Sequence, residues 1–160
     1  MESLIKKWHE HGLDVNRWYN RLISEPSLAG DPLAQEFFEN YQKLDGIELY
    51  HINHDIGKPY CIEYDDEGKA HYPNHTELSH KMFIERYGES IYSYLLKHDM
   101  TFHTTKGAEN MKALWCLEHA DHMFASAYAA IMSNAEMFGG FESDSFKIKK
   151  KHLLKILKYR

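Results

Sequence analysis

The sequence predicts an all-α domain carrying one small β-hairpin near residues 60–72. Three observations lead there. Apolar residues recur at helical spacing of three and four in segment after segment. Only one stretch, around Tyr60–Tyr64 and Ala70–Tyr72, has short strand-like runs flanking a Gly-containing turn. The 160 residues are 43% hydrophobic and 14% aromatic, with no low-complexity linker and no internal repeat, so residues 1–160 read as a single packed domain.

In order, Leu4, Trp8, His11, Val15, Trp18 and Leu22 define one face of a first helix over residues 2–23. Pro26 to Gly30 breaks it. Asp31-Pro32 has the form of an N-cap followed by proline at the first helical position, opening a second helix over 32–44 with Leu33, Phe37, Tyr41 and Leu44 aligned. Gly46 interrupts, and Ile47–Asp55 is a short helix that ends at His54-Asp55-Ile56-Gly57-Lys58-Pro59. Beyond the hairpin, His75, Leu78 and Met82 mark a helix over 75–87, closed by Gly88. Ser90 caps the next, whose stripe is Ile91, Leu95, His98 and Phe102. A long helix is expected over 109–137, with Leu114, Leu117, Asp121, Phe124, Tyr128 and Ile131 on one face. Gly139-Gly140 ends it and leads to a basic C-terminal segment, 147–160.

No apolar run approaches the ~18 residues of a membrane span, and the N-terminus lacks the apolar core of a secretory signal. Cys61 and Cys116 are too few for a disulfide framework and lack metal-type spacing. A cytoplasmic protein is the expectation. The net charge of −5 is unevenly spread: the last fourteen residues carry +7 with no acid, and the first 146 carry −12. Such a tail is suited to phosphates. No phosphate-binding glycine loop of either common type is present.

Four polar residues interrupt the apolar stripes of four helices: His11, His75, His98 and Asp121. A histidine in such a place is often only a satisfied core residue. A carboxylate is harder to accommodate, because an unpaired buried charge is expensive. His54 and Asp55 supply adjacent nitrogen and oxygen donors. One metal site at the centre of a helix bundle would account for all of them.

The order of these motifs resembles the HD superfamily of metal-dependent phosphohydrolases. His11-Gly-Leu-Asp-Val15 is similar to its first-helix motif and His54-Asp55-Ile-Gly-Lys58 to its core motif. Asn74-His75-Thr-Glu77 is similar to the segment that follows, Leu95-Leu-Lys-His98 to the next histidine, and Leu117-Glu-His-Ala-Asp121 to the closing aspartate. The resemblance implies an HD-domain helical bundle with His11, His54, Asp55, His75, His98 and Asp121 as metal ligands. About forty residues separate His11 from His54, more than is usual in compact members, so His51 rivals His11. His103 rivals His98 in the same way, and His71 on the hairpin could point into the site or into solvent.

A mixed nitrogen and oxygen set suits one or two divalent transition ions, Mn, Fe, Co, Ni or Zn, with Mg possible. The expected function is hydrolysis of a phosphate ester or anhydride on a nucleotide or nucleic-acid end. In that reaction Asp55 lies at the centre, Lys58 faces the phosphate, and Glu77 orients a ligand or moves a proton. Two other readings are a non-catalytic module that holds a metal and docks a partner, and a di-iron oxygenase on the same fold.

Overall fold

The computed structural model describes residues 1–160, and it is all-α apart from one two-stranded hairpin. The first helix, α1 (Glu2–Ser24), buries Trp8, His11, Gly12, Val15, Trp18, Tyr19 and Leu22, close to the stripe that the sequence marks. A short 3₁₀ turn (Pro26–Ala29) leads to α2 (Pro32–Asn40), where Asp31 accepts hydrogen bonds from the backbone N–H groups of Leu33 and Ala34. Next come α3 (Glu48–Asn53) and a single turn, α4 (Lys58–Cys61). The hairpin pairs β1 (Glu63–Tyr64) with β2 (Ala70–His71), Glu63 opposite His71 and Tyr64 opposite Ala70. It starts later than expected because Lys58–Cys61 coils first. The second half consists of α5 (His75–Tyr87), α6 (Ile91–Lys97), α7 (Thr101–Thr104), α8 (Ala108–Leu114), α9 (Ala120–Asn134), a π turn (Ala135–Gly139) and α10 (Asp144–Leu157).

The core is built around α9. It is buried almost all round, from Met123 through Ala129 and again at Ile131, Met132 and Ser133, as expected of a central helix. α1 and α10 pack on it, and α3 crosses α1. Small residues let that crossing be close. A methyl group at Gly12 would stand 2.5 Å from the Ile52 carbonyl oxygen and 2.7 Å from that of His51. These are backbone atoms, so Gly12→Ala must push α1 off α3. The expected cost is about 3 kcal/mol, or a fall of roughly 6–12 °C in Tm for a chain of this size, measurable by thermal denaturation. A variant that melts like the parent would show that the crossing has slack.

α2 ends at Asn40, where Tyr41 turns extended, short of the expected residue 44, and two further helices differ in ways that matter for the site. The helix expected over 109–137 is broken. After α8 the chain turns through Trp115–His119, with His119 in the left-handed region at φ 64°. The Trp115 indole N–H donates to the Ile156 carbonyl at 2.9 Å and ties that turn to α10. Asp121 therefore lies in the first turn of a new helix. The stripe Ile91-Leu95-His98-Phe102 is broken as well, since α6 stops at Lys97 and a turn at His98–Met100 precedes α7.

The basic segment is part of the fold. α10 buries Phe146, Leu153, Ile156 and Leu157 against the body. No helix is long and apolar enough to cross a membrane.

Candidate metal centre

His11, His54 and Asp55 are all buried, and one ligand atom from each lies within 4.8 Å of the other two. His11 comes from the middle of α1, and the His54-Asp55 pair from the turn after α3. The close crossing at Gly12 is what brings them together. The Asp55 carboxylate is the hub. Its Oδ2 lies 3.7 Å from His11 Nε2, 3.1 Å from His54 Nε2 and 3.1 Å from Lys58 Nζ, and its Oδ1 lies 3.8 Å from His75 Nε2. His75 begins α5, which is held near the pair by the Ser79 hydroxyl accepting from Gly57 N–H at 2.8 Å.

Each of the three histidines is oriented from behind. His54 Nδ1–H donates to the His51 carbonyl at 2.7 Å, and His75 Nδ1–H donates to the Tyr72 carbonyl at 3.0 Å. The Ser133 hydroxyl donates to Asp14 Oδ2 at 2.8 Å, so at 3.2 Å it accepts from His11 Nδ1–H. All three rings thus turn Nε2 toward Asp55. This is how metal-binding imidazoles are usually held: the far nitrogen is fixed on an oxygen and the near one is free to ligate.

A tetrahedral ion with bonds of about 2.1 Å needs ligand atoms about 3.4 Å apart. The spacings around Asp55 straddle that value, so His11, His54 and Asp55 could hold a metal ion. Protonation favours the same use. Burial first, then the neighbouring His54, lowers the His11 pKa to about 3, leaving that ring neutral. Burial opposes charge on His54 too, but Asp55 and its hydrogen bond outweigh it and raise the pKa to about 9. Despite its own burial, Asp55 is held well below the usual carboxylate range by His54, Lys58 and His11. A cation that takes His54 as a ligand must displace its proton, so loading through His54 is favoured as pH rises.

The site opens into a cavity of about 300 Å³. Lys58 stands at its wall with Nζ 3.9 Å above the Trp8 ring. Asp99, His103, Thr104, Asn134 and Lys149 complete the polar lining, and a second chamber of about 400 Å³ shares Lys58, Ile131, Asn134 and Lys149 with it. Asp99 accepts a hydrogen bond from the buried Tyr50 hydroxyl.

Three expected residues do not come to this place. The Asp121 side chain is 46% exposed and forms a two-armed pair with Arg160, Oδ1 to Nε and Oδ2 to Nη2 both at 3.0 Å. The turn before α9 carries it to the end of the bundle, so it meets a cation of the protein instead of a metal. His98, in the turn after α6, packs its ring on Tyr94, and its rival His103 lines the cavity. Glu77 is exposed on α5, beside His80 and Lys97. His51 does not take the place of His11: its two nitrogens contact Asn16 Oδ1 and Ser126 Oγ, both at 2.9 Å, joining α1, α3 and α9. His71 lies on the surface against Asp65.

Sequence reasoning missed Asp99, Asn134, Ser133 and Lys149. Asp99 follows a predicted ligand directly, and only the unforeseen turn after Lys97 moves it inward. Lys149 sits in a run of lysines, and nothing in the sequence separates it from the others.

His51 gives a stability test that needs no ligand. Burial, then His54, lowers its pKa to about 3. The unfolded ring titrates near its ordinary value, so between about 6.5 and 3 the unfolded chain binds a proton that the folded one refuses. Stability from this group is therefore complete above about pH 6.5 and is lost as pH falls toward 3, by at most about 1.4 kcal/mol per pH unit. His51→Gln should flatten the fall in urea midpoint between neutral and acid pH. An unchanged slope would mean that His51 is not held neutral.

No family model matches the chain, no curated protein matches it, and no solved structure matches it.

Proposed function

We propose that the protein is a metal-dependent phosphohydrolase of HD type, acting on a phosphate ester or anhydride of a nucleotide or nucleic-acid end. The observation that carries this is the convergence of three imidazole Nε2 atoms on Asp55, each ring locked through Nδ1, at the wall of a cavity that also holds two lysines.

His11, His54 and Asp55 would hold the ion, with His75 as the nearest further donor. A bound divalent ion supplies a Lewis acid for a phosphoryl oxygen and lowers the pKa of water. The chain's own residues do the rest. Lys58 balances Asp55 and reaches the cavity, where an ammonium group attracts and orients a phosphate. Lys149, entering from α10, puts a second positive charge beside the same space. Asn134 offers both a donor and an acceptor between the two chambers. Asp99 and His103 stand on the cavity wall as candidates for moving a proton to or from the reacting groups. Asp121, His98 and Glu77 have no part in this reading.

The test is a phosphate-release screen of the purified protein with Mn, Co, Ni, Zn and Mg, using nucleotides and 5′-phosphorylated oligonucleotides, alongside metal analysis. Bound metal with phosphate release supports the hydrolase. Tight metal binding with no release across the panel would favour the metal-holding module instead.

A further inference from the structure

The lysines of α10 are not one charged run. The helix splits them into two sets on opposite flanks of its buried face. Lys149 lies on one flank and lines the cavity. Lys147, Lys150, Lys151, Lys155 and Lys158 lie on the other, spaced by three, one, four and three residues. Together with Asp31, Leu33, Leu154 and Tyr159 they line a surface groove of about 760 Å³.

We propose that this groove is a binding surface for single-stranded nucleic acid, separate from the metal centre. The charge is free to act outward. The single acid in the groove, Asp31, offsets only one of the five lysine charges, and its Oδ1 caps α2 at 2.8 Å from Leu33 N and 3.1 Å from Ala34 N. Of the five lysines only Lys147 is paired with an acid, the exposed Glu142 at 3.4 Å, and Lys150 leans on the Gly30 carbonyl at 3.3 Å. The rest of the chain is acidic, so the groove is a positive strip on a negative body.

Shape and floor choose among polyanions. A helix that binds a membrane surface must turn its apolar face outward, and α10 turns Phe146, Leu153, Ile156 and Leu157 inward. The groove has a floor of Leu33, Leu154 and the half-buried Tyr159 beside its cationic rail. A cationic rail beside an aromatic and apolar floor is the arrangement that holds a strand of regular charge and flat bases. An acidic peptide has no flat bases for that floor. Eleven residues of helix rise about 16 Å, which spans about five nucleotides of stacked strand.

The test is fluorescence anisotropy of a labelled RNA single strand of about twelve nucleotides with the full-length protein in EDTA, so that binding is read without turnover. Failure here leaves the hydrolase reading standing, and the reverse also holds. Five neutralised phosphates predict a slope of about −3.5 in log K against log salt, or about 10²-fold weaker binding between 50 and 200 mM. The exposed triple variant Lys151→Glu, Lys155→Glu and Lys158→Glu should bring the slope to about −1.4, with an unchanged melting curve. Lys81→Glu, on the exposed side of α5, should change nothing. A salt-independent affinity, or an affinity that the triple variant keeps, overturns the proposal. So does stronger binding to phosphatidylserine vesicles or polyglutamate than to the strand.

Discussion

Under the proposed hydrolase function, Asp55→Asn is expected to reduce phosphate release by on the order of 10³-fold or more and to remove most of any bound metal. The amide keeps the shape of the carboxylate, so the loss is one of charge. Asp55 is the one acid that faces His11, His54, Lys58 and His75 together. A metal contributes several kcal/mol to phosphoryl chemistry, and each 1.36 kcal/mol is a factor of ten in rate, which gives about three decades. Stability falls as well, by roughly 3–5 kcal/mol, because Lys58 and His54 lose the charge that justifies their burial. Activity and metal content therefore have to be compared at a temperature where the variant's melting curve shows it folded. His54 should respond in a way that unfolding would not mimic. Without Asp55 beside it, burial dominates and its pKa falls from about 9, which NMR titration of the metal-free variant can follow. Full turnover in Asp55→Asn would end the hydrolase proposal, whatever happened to stability.

The parts of this site that could be read from sequence are those set by local geometry. The stripe of α1 depends only on helical period, so the spacing of His11 to Trp8 and Val15 is enough to put it on the buried face. His54 and Asp55 are adjacent in the chain, so they stay together although α3 ends at Asn53, before them, and Lys58-Pro59 open the turn α4 instead of closing a helix. His75 opens a helix whose start is marked by Pro73-Asn74. Asp121 and His98 lie beyond turns that hydrophobic period does not show, whereas Glu77 sits on a correctly read helix but on its exposed side. Leu114, Leu117 and Asp121 fit one helical face, yet the backbone reverses at His119, and a stripe drawn across the break points the wrong way. His98 failed for the same reason, one residue past the end of α6. Tertiary partners decide such breaks. The indole of Trp115 on the Ile156 carbonyl is an example: the contact joins residues 41 apart.

The orientation of the histidines was beyond sequence altogether. Nothing near Ser133 marks it as the residue that sets His11, because the contact spans 122 positions. Lys149 shows the same limit from the other side. Seven positive charges in fourteen residues read as one patch, and only the packing of α10 sends Lys149 to a cavity, five lysines to a groove and Arg160 to Asp121.

Removal of residues 144–160 is expected to unfold the protein, and with it every activity. A tail that acted apart from the site would predict the opposite, a folded remnant with its small-molecule chemistry intact. The structure opposes that expectation on energetic grounds. Phe146, Leu153, Ile156 and Leu157 are all buried, and each contributes about 1.5–3 kcal/mol by leaving water. Together that is roughly 6–12 kcal/mol, comparable to the whole stability of an ordinary domain. Truncation also orphans the Trp115 indole and leaves Asp121 without Arg160. It further removes the His152 ring N–H that donates to the Phe102 carbonyl at 3.1 Å, beside α7 and the cavity. Circular dichroism of residues 1–143 should show no cooperative melt, and the metal should not bind. Leu153→Ala is the graded form of the same test, with an expected cost of about 2–5 kcal/mol and turnover preserved below its lowered midpoint. A truncated chain that melts like the full-length protein would show that α10 is docked without being needed, and Lys149 would then have to be tested for a role in the cavity by its own substitution.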